Sequence, residues 1–314
     1  MHQPKSDEGV KSTRHVIEEL NNHTVLTFTG LHGVSIREER LDLGLGYELV
    51  KPNPYLLSAR WKYSLNGRAY KESETLSCFL VLKEQLSVSP NSEAMGRLQN
   101  GVMAMQILKP LRTFGFIFQG RDFEDADTFN LQRIEERPPM IPGNWAQQRR
   151  FDDALLSQVQ SMISRVVNAF TSGSVEKKNA IVLLQLSLEH FHPLIAGLLS
   201  VMGMEALFDS GNRKDFEKKL CDCLGGGTLV FPDWNRPRYP APKHTVKELA
   251  VPLYLLRNKI AHGADLKTAS LDKSTPVDLL KKVRLTPDSE PGAYALLLSE
   301  GAVYLLAQVL HKTL

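Results

Sequence analysis

The sequence predicts an α+β protein: a mostly antiparallel α+β domain in the N-terminal half, followed by an all-α helical bundle. Three observations carry this expectation. From residue 24 to about 137, β-branched and aromatic residues fall in short runs. Among them Leu57, Ala59, Trp61, Tyr63 and Leu65 alternate with Ser58, Arg60, Lys62 and Ser64, the period-two pattern of a half-buried strand. Beyond the stretch R-P-P-M-I-P-G at 137–143, the apolar residues recur at the 3.6-residue period of amphipathic helices. Finally, 314 residues suffice for two cores. The expected organisation is a flexible tail (1–15), an α+β domain (16–137), a proline-rich linker (138–150) and a helical bundle (151–314).

Composition bounds the class. A hydrophobic share of 42% and a charged share of 23% are those of a globular chain, not a disordered one. A formal charge of +3 neither requires nor excludes nucleic acid, so any such footprint must be local. The three cysteines include Cys221 and Cys223, too close for an ordinary bridge, which points to a reducing compartment. Cys-Asp-Cys is also poor zinc spacing, and neither a metal nor a cofactor is expected. The first fifteen residues are polar and lack the apolar core of a secretory signal. The longest apolar run, 193–204, is too short to span a bilayer. A cytoplasmic protein with no membrane partner is therefore expected.

In the first half, strands are expected at 24–29, 57–65, 77–83, 114–119 and 128–135, with Asn66-Gly67 as a tight hairpin turn after the second. Met95, Leu98, Val102, Met105 and Leu108 predict a helix over 92–108, capped by Ser92. Gly44-Leu45-Gly46 lacks the third glycine and following helix of a phosphate loop and reads as a turn. Asp122, Glu124, Asp125 and Asp127 do not have calcium-loop spacing and read as a solvated face. No catalytic constellation emerges, and by elimination the domain reads as a sensing or docking module.

In the second half, Leu155, Val159, Met162, Val166 and Phe170 predict a helix over 152–170. Ser174 caps a run over 175–192, and 193–208 continues it beyond a kink at Pro193. His190 and His192, at i and i+2, do not share a helix face and make a poor metal pair. Phe216, Leu220 and Leu224 mark a short helix that Gly225-Gly226-Gly227 ends as a C-cap and turn rather than a phosphate cradle. The loop over 231–244 interleaves Trp234 and Tyr239 with Arg236, Arg238, Lys243 and His244. Bases stack on aromatics while cations track the backbone, so the loop can guide single-stranded RNA; it equally reads as a rigid proline-rich connector. Lys281, Lys282 and Arg284 read as surface. An apolar helix over 292–312 closes the bundle, burying Leu296, Leu297, Leu298, Val303, Leu305, Leu306 and Val309.

The most informative stretch is T-V-K-E-L-A-V-P-L-Y-L-L-R-N-K-I-A-H-G, residues 245–263. Thr245 and Glu248 form a capping box, and Gly263 can end the helix. Val246, Leu249, Leu253, Leu256 and Ile260 share a face built for burial. Pro252 removes a backbone donor and is expected to kink the helix. Its last turn carries Arg257, Asn258 and His262. Asn258 and His262 share a face, with Arg257 roughly 140° round the axis from His262. A guanidinium fork suits phosphate, an imidazole moves protons near neutral pH, and an amide can orient either the imidazole or a substrate oxygen. Those are the groups that cleavage of an RNA phosphodiester needs. The plainer reading is that Arg257 and His262 only complement the helix dipole.

L-R-N-K-I-A-H-G resembles the RNxxxH motif of the HEPN superfamily, specifically its Apea-like branch. L-S-V-M-G-M-E-A-L-F at 199–208 is similar to that branch's helix ending in E-A-L-F, and the likeness covers roughly 151–314, about half the chain. The resemblance implies a helical bundle that commonly dimerises and sets two Arg/His motifs across a shared cleft. It also implies a metal-independent endoribonuclease of a toxin or phage-defence kind. In that role Arg257 holds the scissile phosphate, Asn258 is the accompanying polar residue, and His262 is the general acid or base. Glu205 takes a structural role. Family members that have lost activity bind RNA or a partner protein, and a toxin-like half held silent by an antitoxin is a third option. Pro252 and the long proline-rich loop before the motif helix depart from the family's pattern.

Overall fold

The computed structural model describes residues 24–52, 65, 67–85, 92–122, 130–140, 151–190, 192–230, 244–261 and 291–314. It is α+β, with an antiparallel sheet in the N-terminal half and helices in the C-terminal half. The chain divides into two compact units. One comprises Met1–His32, Ile36–Gln99 and Phe114–Arg137; the other comprises Gly33–Ser35, Asn100–Thr113 and Pro138–Leu314.

The first unit holds β1 (Thr24–Leu31), β2 (Arg40–Gly44), β3 (Tyr47–Val50), β4 (Cys78–Gln85), β5 (Thr113–Asp122) and β6 (Asn130–Glu136), with the short helix α1 (Gly67–Ser73) and the start of α2 (Ser92–Leu108). Strand order is β2-β3-β4-β1-β5-β6. The pairs β1/β4, β2/β3, β3/β4 and β5/β6 are antiparallel. Every residue of β1 from Val25 to Leu31 is buried, so this central strand is covered on both faces. One face carries Leu26, Phe28, Phe79, Val81, Phe114 and Phe118, with the Phe28 and Phe118 rings stacked at 5.2 Å. On the other, the Tyr47 hydroxyl donates to the Arg97 carbonyl at 2.6 Å, tying β3 to α2.

Strands β1, β4, β5 and β6 and helix α2 lie where the pattern predicts them. Two short strands, β2 and β3, do not announce themselves in the sequence; Gly44-Leu45-Gly46 is the turn that joins them. The hairpin expected at Asn66-Gly67 is corrected: Gly67 starts α1, whose residues G-R-A-Y-K-E-S include good helix formers. The expected strand at 57–65 and the tail at 1–15 fall outside the described residues, apart from buried Leu65. So do most of the linker and most of the acidic cluster.

The helical part of the second unit contains α3 (Asp153–Thr171), α4 (Val175–Glu189), α5 (Pro193–Phe208), α6 (Arg213–Leu224), α7 (Val246–Ala261) and α8 (Pro291–Thr313). Asp152 caps α3 by accepting from the Leu155 N–H at 3.1 Å. Its buried stripe is Leu156, Val159, Met162, Ile163, Val166 and Ala169, while Leu155 and Phe170 are only half-buried. The expected kinked run over 175–208 is corrected to two helices. His190 ends α4 in extended backbone, and Pro193 opens α5 at the first-turn position where its missing N–H costs nothing.

Helix α8 packs on α5, α4 and α7, and α5 packs on α4 and α7. A Cβ at Gly197 would lie 3.0 Å from the Ser299 Cα and one at Gly203 2.8 Å from a Leu306 methyl, so glycine lets α5 and α8 approach closely. The last carbonyls of α8 accept from cations on α3 and α4: Arg165 Nη2 to His311 O at 2.8 Å and Lys177 Nζ to Thr313 O at 2.7 Å. Among the described residues no single helix is long and apolar enough to cross a membrane.

The β2–β3 turn gives a direct stability test. Leu45 (φ 56°) and Gly46 (φ +81°) are left-handed, and a Cβ on Gly46 would sit 2.8 Å from the Lys83 carbonyl. Gly46→Ala should lower stability by about 1–2 kcal/mol, and Leu45→Asn should raise it by about 0.5 kcal/mol, both read by denaturant unfolding.

Candidate functional site

The site is built on α7, and α7 is fixed at its start by a complete set of hydrogen bonds. A helix begins with N–H groups that lack partners inside it. Here the Thr245 N–H donates to Glu248 Oε2 at 3.0 Å and the Glu248 N–H to Thr245 Oγ1 at 3.3 Å, the capping box expected from sequence. The Val246 N–H donates to Thr228 O at 2.9 Å and the Lys247 N–H to Gly226 O at 3.1 Å. The glycine turn after α6 therefore completes the cap of α7, with Gly225 left-handed at φ 85° and its N–H on Cys221 O. With its first donors engaged, the N-terminus of α7 offers no anion site.

Burial fixes the helix's rotation. Val246, Leu249, Leu253, Leu256 and Ile260 are all buried, as their spacing predicts, together with Ala250 and Pro252. Pro252 lies within the helix. This rotation leaves Arg257 on the flank of the buried face, four residues after Leu253, with Tyr254 and Asn258 further round the axis; all three are half-buried.

Arg257 does not project freely. Its Nε donates to Glu205 Oε2 at 2.9 Å, and its Nη1 donates to Asn258 Oδ1 at 2.7 Å. The Arg257 side chain is 31% exposed and that of Glu205 13%. Burial pushes the Glu205 carboxyl above its usual range, and the neighbouring guanidinium opposes that without cancelling it. The Nη2 donors of Arg257 have no partner among the described residues. With its oxygen committed to Arg257, Asn258 presents its amide donors to anything further.

The E-A-L-F segment supplies both halves of this arrangement. Glu205 reaches Arg257, and Phe208 meets Phe216 of α6 edge-on at 6.3 Å, which in turn meets Tyr254 of α7 at 5.7 Å. Lys219 Nζ donates to the Phe208 carbonyl at 2.7 Å while pairing with Asp215 at 2.8 Å. The end of α5 is thus held by α6 and α7 together, which fixes where the Glu205 carboxylate stands.

Of the residues singled out from sequence, Arg257 and Asn258 come together here. His262, Trp234, Arg236, Arg238, Tyr239 and Lys243 lie outside the described residues. His244 is described, and it does not suit a surface contact with RNA. It is 2% exposed in the two-residue strand β8 (His244–Thr245), paired with β7 (Leu229–Val230), and its Nε2 has no hydrogen-bond partner among the described residues. Its place in the loop predicts a cation open to a ligand; in the β7–β8 pair, opposite Val230, it is buried instead. Glu205 was matched only as part of a helix signature, and its bond to Arg257 joins residues 52 positions apart. Tyr254 carried no sequence signal beyond lying one turn before Arg257. Cys221 and Cys223 are free thiols on α6, and no group of acidic, histidine or cysteine side chains among the described residues has the arrangement of a metal site.

No family model, no curated protein and no solved structure matches the chain.

His244 has a measurable consequence. Burial holds its pKa below the ordinary 6.5, against the pull of Glu248. The unfolded chain then binds the proton more readily than the folded one, so stability is full above the unfolded value and is lost as pH falls through the folded one. His311 shifts in the same direction and adds to the slope. Chemical unfolding should show stability dropping below about pH 6.5, and His244→Phe should flatten that dependence; equal slopes would contradict burial of a neutral imidazole.

Proposed function

We propose that the helical unit is a metal-independent endoribonuclease of the HEPN type, cutting single-stranded RNA by transesterification. The observation that carries this reading is the Arg257 guanidinium. It is held on one side by Glu205 and Asn258, is partly exposed, and has no partner for Nη2 among the described residues. It stands five residues before His262, in the L-R-N-K-I-A-H-G segment whose resemblance names the reaction.

In this mechanism His262 takes the proton from a ribose 2′-OH. The 2′ oxygen forms a bond to phosphorus, the bond from phosphorus to the 5′ oxygen breaks, and the leaving 5′ oxygen takes a proton from water, while His262 later returns its own proton to solvent. The products are a 2′,3′-cyclic phosphate and a 5′-hydroxyl. Arg257 offsets the charge that builds on the phosphoryl oxygens in the transition state, where a preorganised donor counts most. Two copies joined through the bundle would set two such sites on one RNA groove. A cytoplasmic toxin or phage-defence role, with or without an antitoxin partner, fits such an activity.

A second reading is favoured by one contact. Glu205 already neutralises Arg257, as in a helix-to-helix tie within a silent module that binds RNA or a partner protein. Incubation of the purified chain with single-stranded RNA in EDTA separates the two. The nuclease reading expects cyclic-phosphate ends, and a loss of about a hundredfold or more for His262→Ala or Arg257→Ala. Cleavage that requires added magnesium defeats the mechanism, and RNA binding without cleavage by the wild type establishes the silent module.

A further inference from the structure

We infer that Glu205 is a positioning residue: it turns the Arg257 guanidinium so that Nη2 faces the ligand, and it tunes the site to a singly charged internal phosphodiester rather than a doubly charged terminal phosphate. This rests on the nuclease reading and extends it to the substrate's charge.

The argument starts from the shape of the fork. A guanidinium binds a carboxylate or phosphate best through two parallel N–H donors. Glu205 takes Nε with a single oxygen, and Asn258 takes one donor of Nη1. Neither contact uses Nη2, so the next anion meets the Nη edge and not the Nε edge. A lone arginine at a helix end samples many rotamers. This one is held from two directions, by a residue of α5 and by its own neighbour on α7, so less freedom remains to be lost when phosphate arrives.

Charge then sets what is accepted. Arg257 contributes one positive charge and Glu205 one negative charge to a partly buried site. A phosphodiester carries a single negative charge and is drawn to the guanidinium with modest opposition from the carboxylate. A terminal phosphate or inorganic phosphate carries close to two charges at neutral pH; attraction and opposition both double, but the dianion costs far more to desolvate and the pair's net charge of zero does not offset that cost. The carboxylate is held beside the guanidinium by its own bond to Arg257 Nε, so it stays next to any anion that Nη2 binds.

The test uses the full chain as wild type, Glu205→Gln, Glu205→Ala and Arg257→Ala. Gln keeps an oxygen to accept from Nε and removes the charge; Ala removes both. Circular dichroism and thermal unfolding establish that each variant is folded. With cleavable RNA, Glu205→Ala is expected to lose about tenfold or more in kcat with KM little changed, and Glu205→Gln to recover most of it. Inorganic phosphate is expected to inhibit Glu205→Gln more strongly than wild type. A purely structural role would lower the unfolding midpoint of both variants without this split between Gln and Ala. Wild-type turnover by Glu205→Ala, or equal losses in Gln and Ala, overturns the inference while leaving the nuclease reading intact.

A second arm measures binding of 2′-O-methyl RNA, which cannot be cut. If wild type cuts nothing, yet Arg257→Ala and Glu205→Ala both weaken binding and Glu205→Gln restores it, catalysis is refuted and the positioning role stands. If wild type cuts nothing and binding is also indifferent to Arg257→Ala, both are overturned.

Discussion

A single bond between two helices organises the site: the 2.9 Å contact from Arg257 Nε on α7 to Glu205 on α5. Its energy is small. A partly exposed ion pair is worth of order 1 kcal/mol after solvent screening, whereas each buried Leu or Ile of α7 contributes about 1.5–3 kcal/mol. Packing of Val246, Leu249, Leu253, Leu256 and Ile260 therefore decides where α7 lies, and the ion pair decides only how one side chain is turned. That division of labour suits a functional group, because the scaffold stands without it. Once the scaffold is set, orientation is what remains to be specified.

The start of α7 limits where a ligand can find partners on this helix. Its first N–H groups are taken by Glu248, Thr245, Thr228 and Gly226, so the helix begins with its donors satisfied by its own chain. A phosphate seeking partners on this helix is left with side chains, and Arg257 with Asn258 is the half-buried polar pair near its end. The glycine turn, the capping box and the aromatic contacts of Phe208, Phe216 and Tyr254 all hold the same three helices, α5, α6 and α7. Of the loop cations grouped with the site by sequence, His244 is buried and is not presented to a ligand.

What was legible in the sequence follows the range of the interaction. The buried face of α7, its capping box, the C-cap at Gly225 and the turn at Leu45 each depend on residues a few positions apart, and spacing alone reveals them. Strands β2 and β3 escaped because five and four residues are too few for alternation to rise above chance. Asn66-Gly67 misled because the dipeptide favours a turn only where a strand follows, and helix-forming residues follow here. The Glu205–Arg257 bond was out of reach for a different reason. It depends on the crossing of α5 and α7, and nothing in either segment's own pattern specifies which of its polar residues will meet.

Nuclear magnetic resonance of the arginine side chains tests the central claim most directly. The Arg257 Nε–H signal, assigned by its loss in Arg257→Lys, should be shifted by its carboxylate partner in the free protein. On addition of 2′-O-methyl RNA the Nη signals of Arg257 should move while Nε–H stays near its starting position, because Glu205 keeps that donor and the phosphate takes the others. If the Arg257 signals are unmoved at saturating RNA, the guanidinium serves only to tie α7 to α5, and the proposed site does not exist.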